Sequence, residues 1–98
     1  MKEFERLQEF EAFVAIVARL RGPDGCPWDR EQTHRSIRGY LLQECYEVLE
    51  AIDHGEVPHL AEELGDLLLQ IGLHAQIAAD RGDFSIRDVI RGISAKLI

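Results

Sequence analysis

Two pairs of acidic residues with a spacing of three could form a charged site in this 98-residue sequence. Glu44 and Glu47 form one pair within LLQECYEVLEAI, and Glu63 and Asp66 form the other within AEELGDLLLQIGLHA. Side chains three residues apart are neighbours on a helix surface, so each pair can point into one site. Glu44 falls within the apolar stripe of its segment, where an unpaired carboxylate would be strongly destabilising. The sequence must therefore supply a partner for Glu44.

The connection between the two segments predicts how the pairs meet. HGEVPH is short, which makes the helices on either side antiparallel neighbours that fold about Gly55. Glu44 and Asp66 each lie 11 residues from Gly55. Glu47 and Glu63 each lie 8 residues from it. The four carboxylates are thus expected at one level of the hairpin, where they repel each other unless a cation lies between them. Because oxygen ligands favour hard ions, we predict Mg²⁺ as the cofactor, with Mn²⁺ as an alternative.

For the other acids and the cysteines we predict structural or solvent-exposed roles. Acidic residues beside an apolar stripe are often solvated, and this is our interpretation of Glu50, Glu56 and Glu62. Cys26 and Cys45 are too few for a disulfide framework, and we interpret Cys45 as a core residue. No C-x-x-C or H-x-x-x-H spacing supports a zinc site.

Composition limits the class of partner. The formal net charge of −7 provides no basic stripe for a nucleic-acid backbone. No apolar run approaches the roughly 20 residues that cross a bilayer, and MKEFERLQEFEAF does not resemble a secretory signal. We therefore expect a single cytoplasmic domain over residues 1–98, with no nucleic acid and no membrane as partner.

The chain is expected to be helical throughout. Apolar residues recur at helical spacing over about 3–20, and RGPDGCPW then breaks the chain. A second helix is expected to end near His54, and a third to run over about 58–80. Ser85 and Asp88 resemble a capping box that opens a fourth helix. The prediction is an all-α, four-helix, bundle-like domain around an antiparallel central hairpin. Its end at ISAKLI, inside an amphipathic pattern, favours either a truncated C-terminus or a partner that covers the exposed face.

The segments GCPWDREQTH, YLLQECYEVLEAID and ELGDLLLQIGLHAQIA, followed by F, DVI and ISAKL, resemble the MazG-type nucleotide pyrophosphohydrolases of the all-α NTP pyrophosphatase superfamily. The resemblance covers most of the chain. It implies a helical homodimer that uses Mg²⁺ to convert nucleoside triphosphates to monophosphates and pyrophosphate. The family motif carries a metal-ligand role onto Glu44, Glu47, Glu63 and Asp66. The first member of the family's adjacent glutamate pair is Gln43 here, which faces away from Glu44.

Roles in catalysis and substrate binding follow with less support. Glu47 is our candidate general base, because its edge position can reach both metal and solvent. Trp28 could stack on a base or cap the core. Arg30, Arg35 and Arg38 could approach phosphates, with a solvated or salt-bridging role as the alternative. His34 could bind nucleotide through a hydrogen bond. His74, also a candidate, is interpreted as an interface histidine or as a residue just outside the metal ligands.

Two other functions stay open at this point. Because of Gln43, a catalytically weak or inactive dimerisation or regulatory module of a larger protein is one alternative. A plain helical bundle that assembles partners is the other, and it predicts no effect of Mg²⁺ on the melting temperature. Apolar surface on the first and last helices predicts a homodimer, with a tetramer built of two dimers as a further option.

Overall fold

A chain of helices without strands forms the part of the protein that the structure describes. The structure, a computed structural model, describes residues 8–98. The helices are α1 Glu9–Leu20, α2 Pro27–Glu31, α3 Arg38–His54, α4 Val57–Asp80 and α5 Ile86–Leu97. The all-α prediction is confirmed. The predicted start of the first helix, over residues 3–7, lies outside the described residues.

A short fifth helix, α2, occupies part of the segment that was expected to be a loop. Pro27 stands at its first position, where the missing N–H costs no hydrogen bond and the fixed φ already suits a helix. Asp29 lies in the first turn, where a negative charge complements the helix dipole. The glycine- and proline-rich segment RGPDGCPW therefore ends α1 and also begins α2.

The α3–α4 hairpin is the main packing unit and sets the position of the acidic residues. Gly55 ends α3 in the left-handed conformation, with a φ of 69°, and its N–H donates to the carbonyl of Ile52 at 3.2 Å. Glycine adopts this conformation without the steric cost that a Cβ imposes. Pro58 lies in the first turn of α4, as the sequence predicted.

The core joins α1 to α4 and to the residue that precedes α3. Ile37 is only 1% exposed, and it anchors the start of α3 against α4. Full burial of one aliphatic side chain contributes roughly 1.5–3 kcal/mol to the stability of the fold. The buried cluster consists of Val17, Ile37, Leu73 and Ile77, with Phe13 and Leu69 packed against it.

Arg21 ties three elements together at the end of α1. Its Nε donates to Asp80 Oδ2 at 3.0 Å, which links α1 to the end of α4. Its Nη1 donates to the carbonyl oxygens of Asp29 and Gln32, which hold α2 and the following segment. Only 9% of the Arg21 side chain is exposed, so these charge-assisted hydrogen bonds are largely shielded from water. The α2 segment is thereby fixed to the helical core.

The last helix begins as predicted but buries little. The Ser85 N–H donates to Asp88 Oδ2 at 2.9 Å, the half of the capping box that satisfies the backbone before α5. This hydrogen bond, together with that of the Ser85 hydroxyl, lowers the pKa of Asp88. No residue of α5 is buried, and its apolar face is open. The exposed residues of this face are Val89, Ile90, Ile93 and Leu97.

The outer side of α3 differs from the prediction. Cys45, interpreted as a core residue, is exposed, so that interpretation is wrong. Helix α3 packs on α4 through a narrow face that includes Val48 and Ala51, and Cys45 lies about 60° from the first and about 120° from the second around the helix, outside that face. The acids interpreted as solvated, Glu50, Glu56 and Glu62, are all exposed.

Within residues 8–98, no helix has both the length and the apolar character needed to cross a membrane.

Candidate metal centre

The hairpin brings the side chains of Glu44, Glu47, Glu63 and Asp66 together. One carboxylate oxygen of each lies within 4.8 Å of the corresponding oxygens of the other three. Two of the acids come from α3 and two from α4, at equal distances along the chain from Gly55. This is the arrangement that the two acidic pairs and the short connection predicted.

The cluster is shielded on one side and open on the other. Glu63 is only 7% exposed, and Glu44 and Glu47 are half-buried, whereas Asp66 is exposed. Glu44 Oε2 and Glu63 Oε2 are both buried, and neither has a hydrogen-bond partner within residues 8–98. Buried carboxylate oxygens without partners are costly, so these two atoms call for a ligand that residues 8–98 do not supply.

Burial and mutual repulsion favour the protonated form of two of these acids. Burial raises the pKa of Glu44, and Glu47, Asp66 and Glu63 raise it further. Burial also raises the pKa of Glu63, as do Glu47 and Asp66. Glu47 contributes to both shifts through a side-chain hydrogen bond, since a protonated Glu44 or Glu63 can donate to its carboxylate. Glu47 thus affects the pKa of both Glu44 and Glu63.

His59 is a neighbour of the cluster that sequence reasoning missed. Its Nε2 lies 3.6 Å from Glu63 Oε1, one helical turn earlier on α4, and a positive charge on it lowers the pKa of Glu63. This effect is smaller than the effects that raise the pKa of Glu63. The i, i+4 spacing of the two residues was a signal that the sequence did contain.

The raised pKa values predict how the metal-free protein responds to pH. In the folded chain Glu44 and Glu63 hold protons above their ordinary pKa of 4.5. Their contribution to stability is therefore fully present below that value and is lost as the pH rises through the raised folded-state pKa. In EDTA, we expect a Glu44→Gln/Glu63→Gln variant to exceed the wild type in melting temperature, by a margin that widens from about pH 5 to about pH 8.

Thermal melts across this pH range test the expectation, with Glu50→Gln/Glu62→Gln as a control of equal charge change on exposed acids of the same two helices. A margin for Glu44→Gln/Glu63→Gln that is constant with pH, or equal to that of the control, would show that raised pKa values of these two acids do not affect stability in this pH range.

The donor set fits a hard divalent cation. All four candidate ligands are carboxylates, and hard ions prefer oxygen ligands of this kind. A cation would satisfy the two buried oxygens and remove the repulsion that raises the pKa values of Glu44 and Glu63. The residues present therefore fit a metal ion such as Mg²⁺ or Mn²⁺.

The predicted substrate-binding residues lie in different surroundings. Trp28 on α2 is 50% exposed, so it does not cap the core, and its ring meets Tyr40 edge-on at 6.0 Å between centroids. Arg30 donates to the carbonyl of Pro23 at 2.8 Å, which holds the loop before α2. Arg38 is the first residue of α3, and it lines an open cavity together with His34. The structure therefore gives Arg30 a structural contact and leaves Trp28 and Arg38 open to solvent.

His34 and His74 form a pair that the sequence did not predict. Their Nδ1 atoms are 2.8 Å apart and their rings are parallel. Burial lowers the pKa of His74, and the neighbouring His34 lowers it further. His74 Nε2 is buried and has no hydrogen-bond partner within the described residues. His74 thus contacts His34 and not the acidic cluster.

Gln43 stands outside the cluster, as the helical spacing indicated. Its side chain is exposed on α3, and the four clustered carboxylates do not include it. The substitution at this position therefore leaves all four candidate ligands in place.

Comparison with known proteins agrees with this geometry. The model of the MazG nucleotide pyrophosphohydrolase domain matches residues 32–98. The chain is similar to the uncharacterized protein YabN of Bacillus subtilis, with 58% identity over 90 residues, which are 92% of this chain and 18% of the relative. It is 56% identical over 89 residues to the nucleoside triphosphate pyrophosphohydrolase/pyrophosphatase MazG of Thermotoga maritima, covering 91% of this chain and 35% of the relative. Identity to the nucleoside triphosphate pyrophosphohydrolase of Escherichia coli K12 is 45% over 92 residues, which are 93% of this chain and 35% of the relative.

The chain thus spans between about a fifth and about a third of the length of these relatives. The matched region, residues 32–98, contains both acid-bearing helices and the four clustered carboxylates. The chain belongs to the MazG nucleotide pyrophosphohydrolase family.

Proposed function

We propose that this protein binds Mg²⁺, with Mn²⁺ as an alternative, and hydrolyses nucleoside or deoxynucleoside triphosphates to the monophosphate and pyrophosphate. The acidic cluster carries the proposal, since it presents four carboxylate oxygens within 4.8 Å, two of whose side chains have a buried oxygen without a partner. The names of the relatives from Thermotoga maritima and Escherichia coli support the reaction class.

The reaction is hydrolysis of a phosphoanhydride. When bound, Mg²⁺ supplies charge neutralisation for the triphosphate and acidity for the attacking water. Glu44 and Glu63, each of which has a buried oxygen without a partner within residues 8–98, would hold the ion together with Glu47 and Asp66. Water forms the new bond to the α-phosphorus, the bond from this phosphorus to the α–β bridging oxygen breaks, and pyrophosphate leaves.

Glu47 takes the proton of the attacking water in this proposal. One of its carboxylate oxygens lies within 4.8 Å of oxygens of the other three acids, and its side chain is only half-buried, so solvent can reach it. Its role as a ligand is compatible with this, because a carboxylate has two oxygens. A general base must lie within hydrogen-bond reach of the proton that it removes, and the place of Glu47 within the cluster supports this role.

Substrate recognition is assigned to residues outside the cluster. The exposed ring of Trp28 offers a face for the nucleotide base, with Tyr40 supporting it from the side. His34 and Arg38 are assigned to the phosphates. Arg30 keeps a supporting role, since its guanidinium is engaged by the Pro23 carbonyl.

We place this activity in a single domain over residues 1–98, in the cytoplasm. The alternative of a regulatory module without turnover is not favoured, because the acids are all present and gathered despite Gln43.

The second partner in the proposal is another copy of the chain. The open apolar face of α5 and the exposed Tyr46 and Leu49 on α3 provide surface that a homodimer would cover, and two such dimers could form a tetramer. Sedimentation velocity at micromolar concentration tests this assembly, and a monomer mass would contradict it.

The function itself is tested by a screen of nucleoside and deoxynucleoside triphosphates, with products separated by anion-exchange chromatography. We expect equal amounts of monophosphate and pyrophosphate in Mg²⁺ and none in EDTA. We also expect Mg²⁺ to raise the melting temperature, since a ligand that binds only the folded state stabilises it. Release of single phosphate groups, or turnover unchanged by EDTA, would contradict the proposal.

A further inference from the structure

A second polar site lies at the end of the α3–α4 hairpin that is remote from Gly55. Arg38 begins α3 and Arg81 follows α4 there, so both helices contribute to the same open cavity of about 370 Å³. The residues that line it are Thr33, His34, Arg35, Arg38, His74 and Arg81. Among the described residues, no acidic side chain lines this cavity, although the chain has a net charge of −7. We refer to it as the basic pocket.

The arginines of the basic pocket are largely unneutralised. Arg81 has an ion pair with Asp83 at 3.7 Å, in which both side chains are more than half exposed. Within residues 8–98, the side chains of Arg35 and Arg38 have no ion pair and no hydrogen bond. Like charges held near each other favour a counter-ion, and guanidinium groups match the geometry of phosphate oxygens. The pocket is therefore electrostatically suited to an anion.

The histidine pair contributes at most one positive charge to the pocket. Because the two Nδ1 atoms are 2.8 Å apart, one must donate a proton and the other must accept it, so the two rings cannot both be fully protonated. Both histidines line the cavity beside the arginines, although His74 Nε2 itself is buried. The positive charge of the pocket therefore comes mainly from its three arginines.

The start of α3 acts in the same direction. Ile37 provides no side-chain cap, and the first turn contains no acidic residue that would complement the helix dipole. Arg38 instead places a positive charge at the positive end of the dipole, which is unfavourable unless an anion is near. The charge of the arginines and the helix N-terminus therefore both favour occupation of the basic pocket by a negative group.

We propose that the basic pocket binds a polyphosphate group, meaning linked phosphates that carry several negative charges. Two sources supply this chemistry, and only the first of them rests on the proposed function. One is the distal phosphates of the triphosphate held at the acidic cluster, since Asp66 and His74 are eight residues apart on α4, or about 12 Å. The other is free pyrophosphate bound independently of the acidic cluster.

Metal-free binding of inorganic pyrophosphate tests the pocket without any turnover. In an EDTA buffer, isothermal titration calorimetry should show binding to the wild type and about tenfold weaker binding to Arg38→Gln, which loses charged hydrogen bonds to the anion. Arg87→Gln, the same charge change at an exposed position of α5, should bind as the wild type does. Nitrogen-15 spectra of the histidine rings should show shifted signals of His34 and His74 when pyrophosphate is added, because both residues line the pocket.

Three results would contradict the binding of polyphosphate at the basic pocket. These are no pyrophosphate binding by the wild type, equal loss in Arg38→Gln and Arg87→Gln, and unmoved ring signals of both His34 and His74. Melting temperatures of the variants confirm that each is folded, and Arg38 is exposed, so its replacement leaves the core intact. The outcome does not depend on the proposed reaction, since the assay contains neither metal nor triphosphate.

A non-hydrolysable α,β-methylene triphosphate with Mg²⁺ distinguishes the two sources. If the pocket holds the distal phosphates of the substrate, Arg38→Gln weakens binding of this analogue about tenfold as well. If the pocket holds a separate pyrophosphate, Arg38→Gln weakens only pyrophosphate. Glu63→Ala should abolish Mg²⁺-dependent binding of the analogue and leave metal-free pyrophosphate binding unchanged. If Glu63→Ala still binds the analogue with Mg²⁺ while the other results are as expected, the acidic cluster is contradicted and the basic pocket is not.

Discussion

Glu63→Ala should reduce Mg²⁺-dependent release of pyrophosphate by more than about a hundredfold, because loss of even an indirect partner of a metal ligand typically costs 10–100-fold. Glu63 is the most buried of the four clustered acids, and its Oε2 has no partner within residues 8–98. Its loss therefore removes a candidate ligand whose oxygen is shielded from water. Asp66→Ala should act in the same direction. The measurement is monophosphate formation under saturating Mg²⁺, together with Mg²⁺ binding by calorimetry.

The neighbouring acid offers a matched control. Glu62 precedes Glu63 on α4 but is exposed, so Glu62→Ala should retain both turnover and Mg²⁺ binding. The variant Glu63→Gln separates loss of function from loss of fold, since it removes a buried charge and should raise the melting temperature in EDTA. Undiminished turnover in Glu63→Ala would refute the assignment of the site.

Gly25→Ala should destabilise the fold by about 3 kcal/mol or more, equivalent to a fall in melting temperature of more than about 10 °C for a chain of this size. A Cβ at Gly25 would overlap the carbonyl oxygens of Arg19 and Leu20 and lie 2.6 Å from the carbonyl carbon of Leu20. These are backbone atoms, so no rotamer change can relieve the overlap. The loop is also fixed there, because the Cys26 N–H donates to the Leu20 carbonyl at 2.8 Å.

Gly92→Ala is the contrasting control for this prediction. A Cβ at Gly92 would meet nothing within 4 Å, and the residue lies inside α5. Alanine should therefore stabilise the helix by about 1 kcal/mol through its higher propensity. Chemical denaturation of both variants measures the two effects, and a Gly25→Ala protein as stable as the wild type would show that the loop can move away from α1.

The features predicted correctly from the sequence depend on short-range interactions. The ends of α3 and α4 follow from Gly55 and Pro58, which act on their own backbone. The meeting of the acids follows from the same connection, because the chain distance to Gly55 fixes which residues of the two helices face each other. Helical periodicity and one turn were therefore sufficient to locate the acidic cluster before any coordinates were known.

The features that were missed depend on contacts distant in sequence. His34 and His74 are 40 residues apart, and only the packing of the segment before α3 against α4 brings them together. The hydrogen bonds of Arg21 reach Asp80, 59 residues away, and no local pattern indicates them. The exposure of Cys45 likewise depends on which side of α3 packs against α4, and this is not determined by the sequence of α3 alone. Local patterns predict elements, whereas these contacts require the assembled fold.

The left-handed conformation of Gly55 limits how the length of the connection between α3 and α4 can change. It sets the rotation of one acid-bearing helix about its axis relative to the other, with a connection too short to absorb a change. One inserted residue would advance the following helix by about 100°, enough to carry its two acids off the shared face while both helices remained intact. The number of residues between the helices is therefore as much a determinant of the site as the acids themselves.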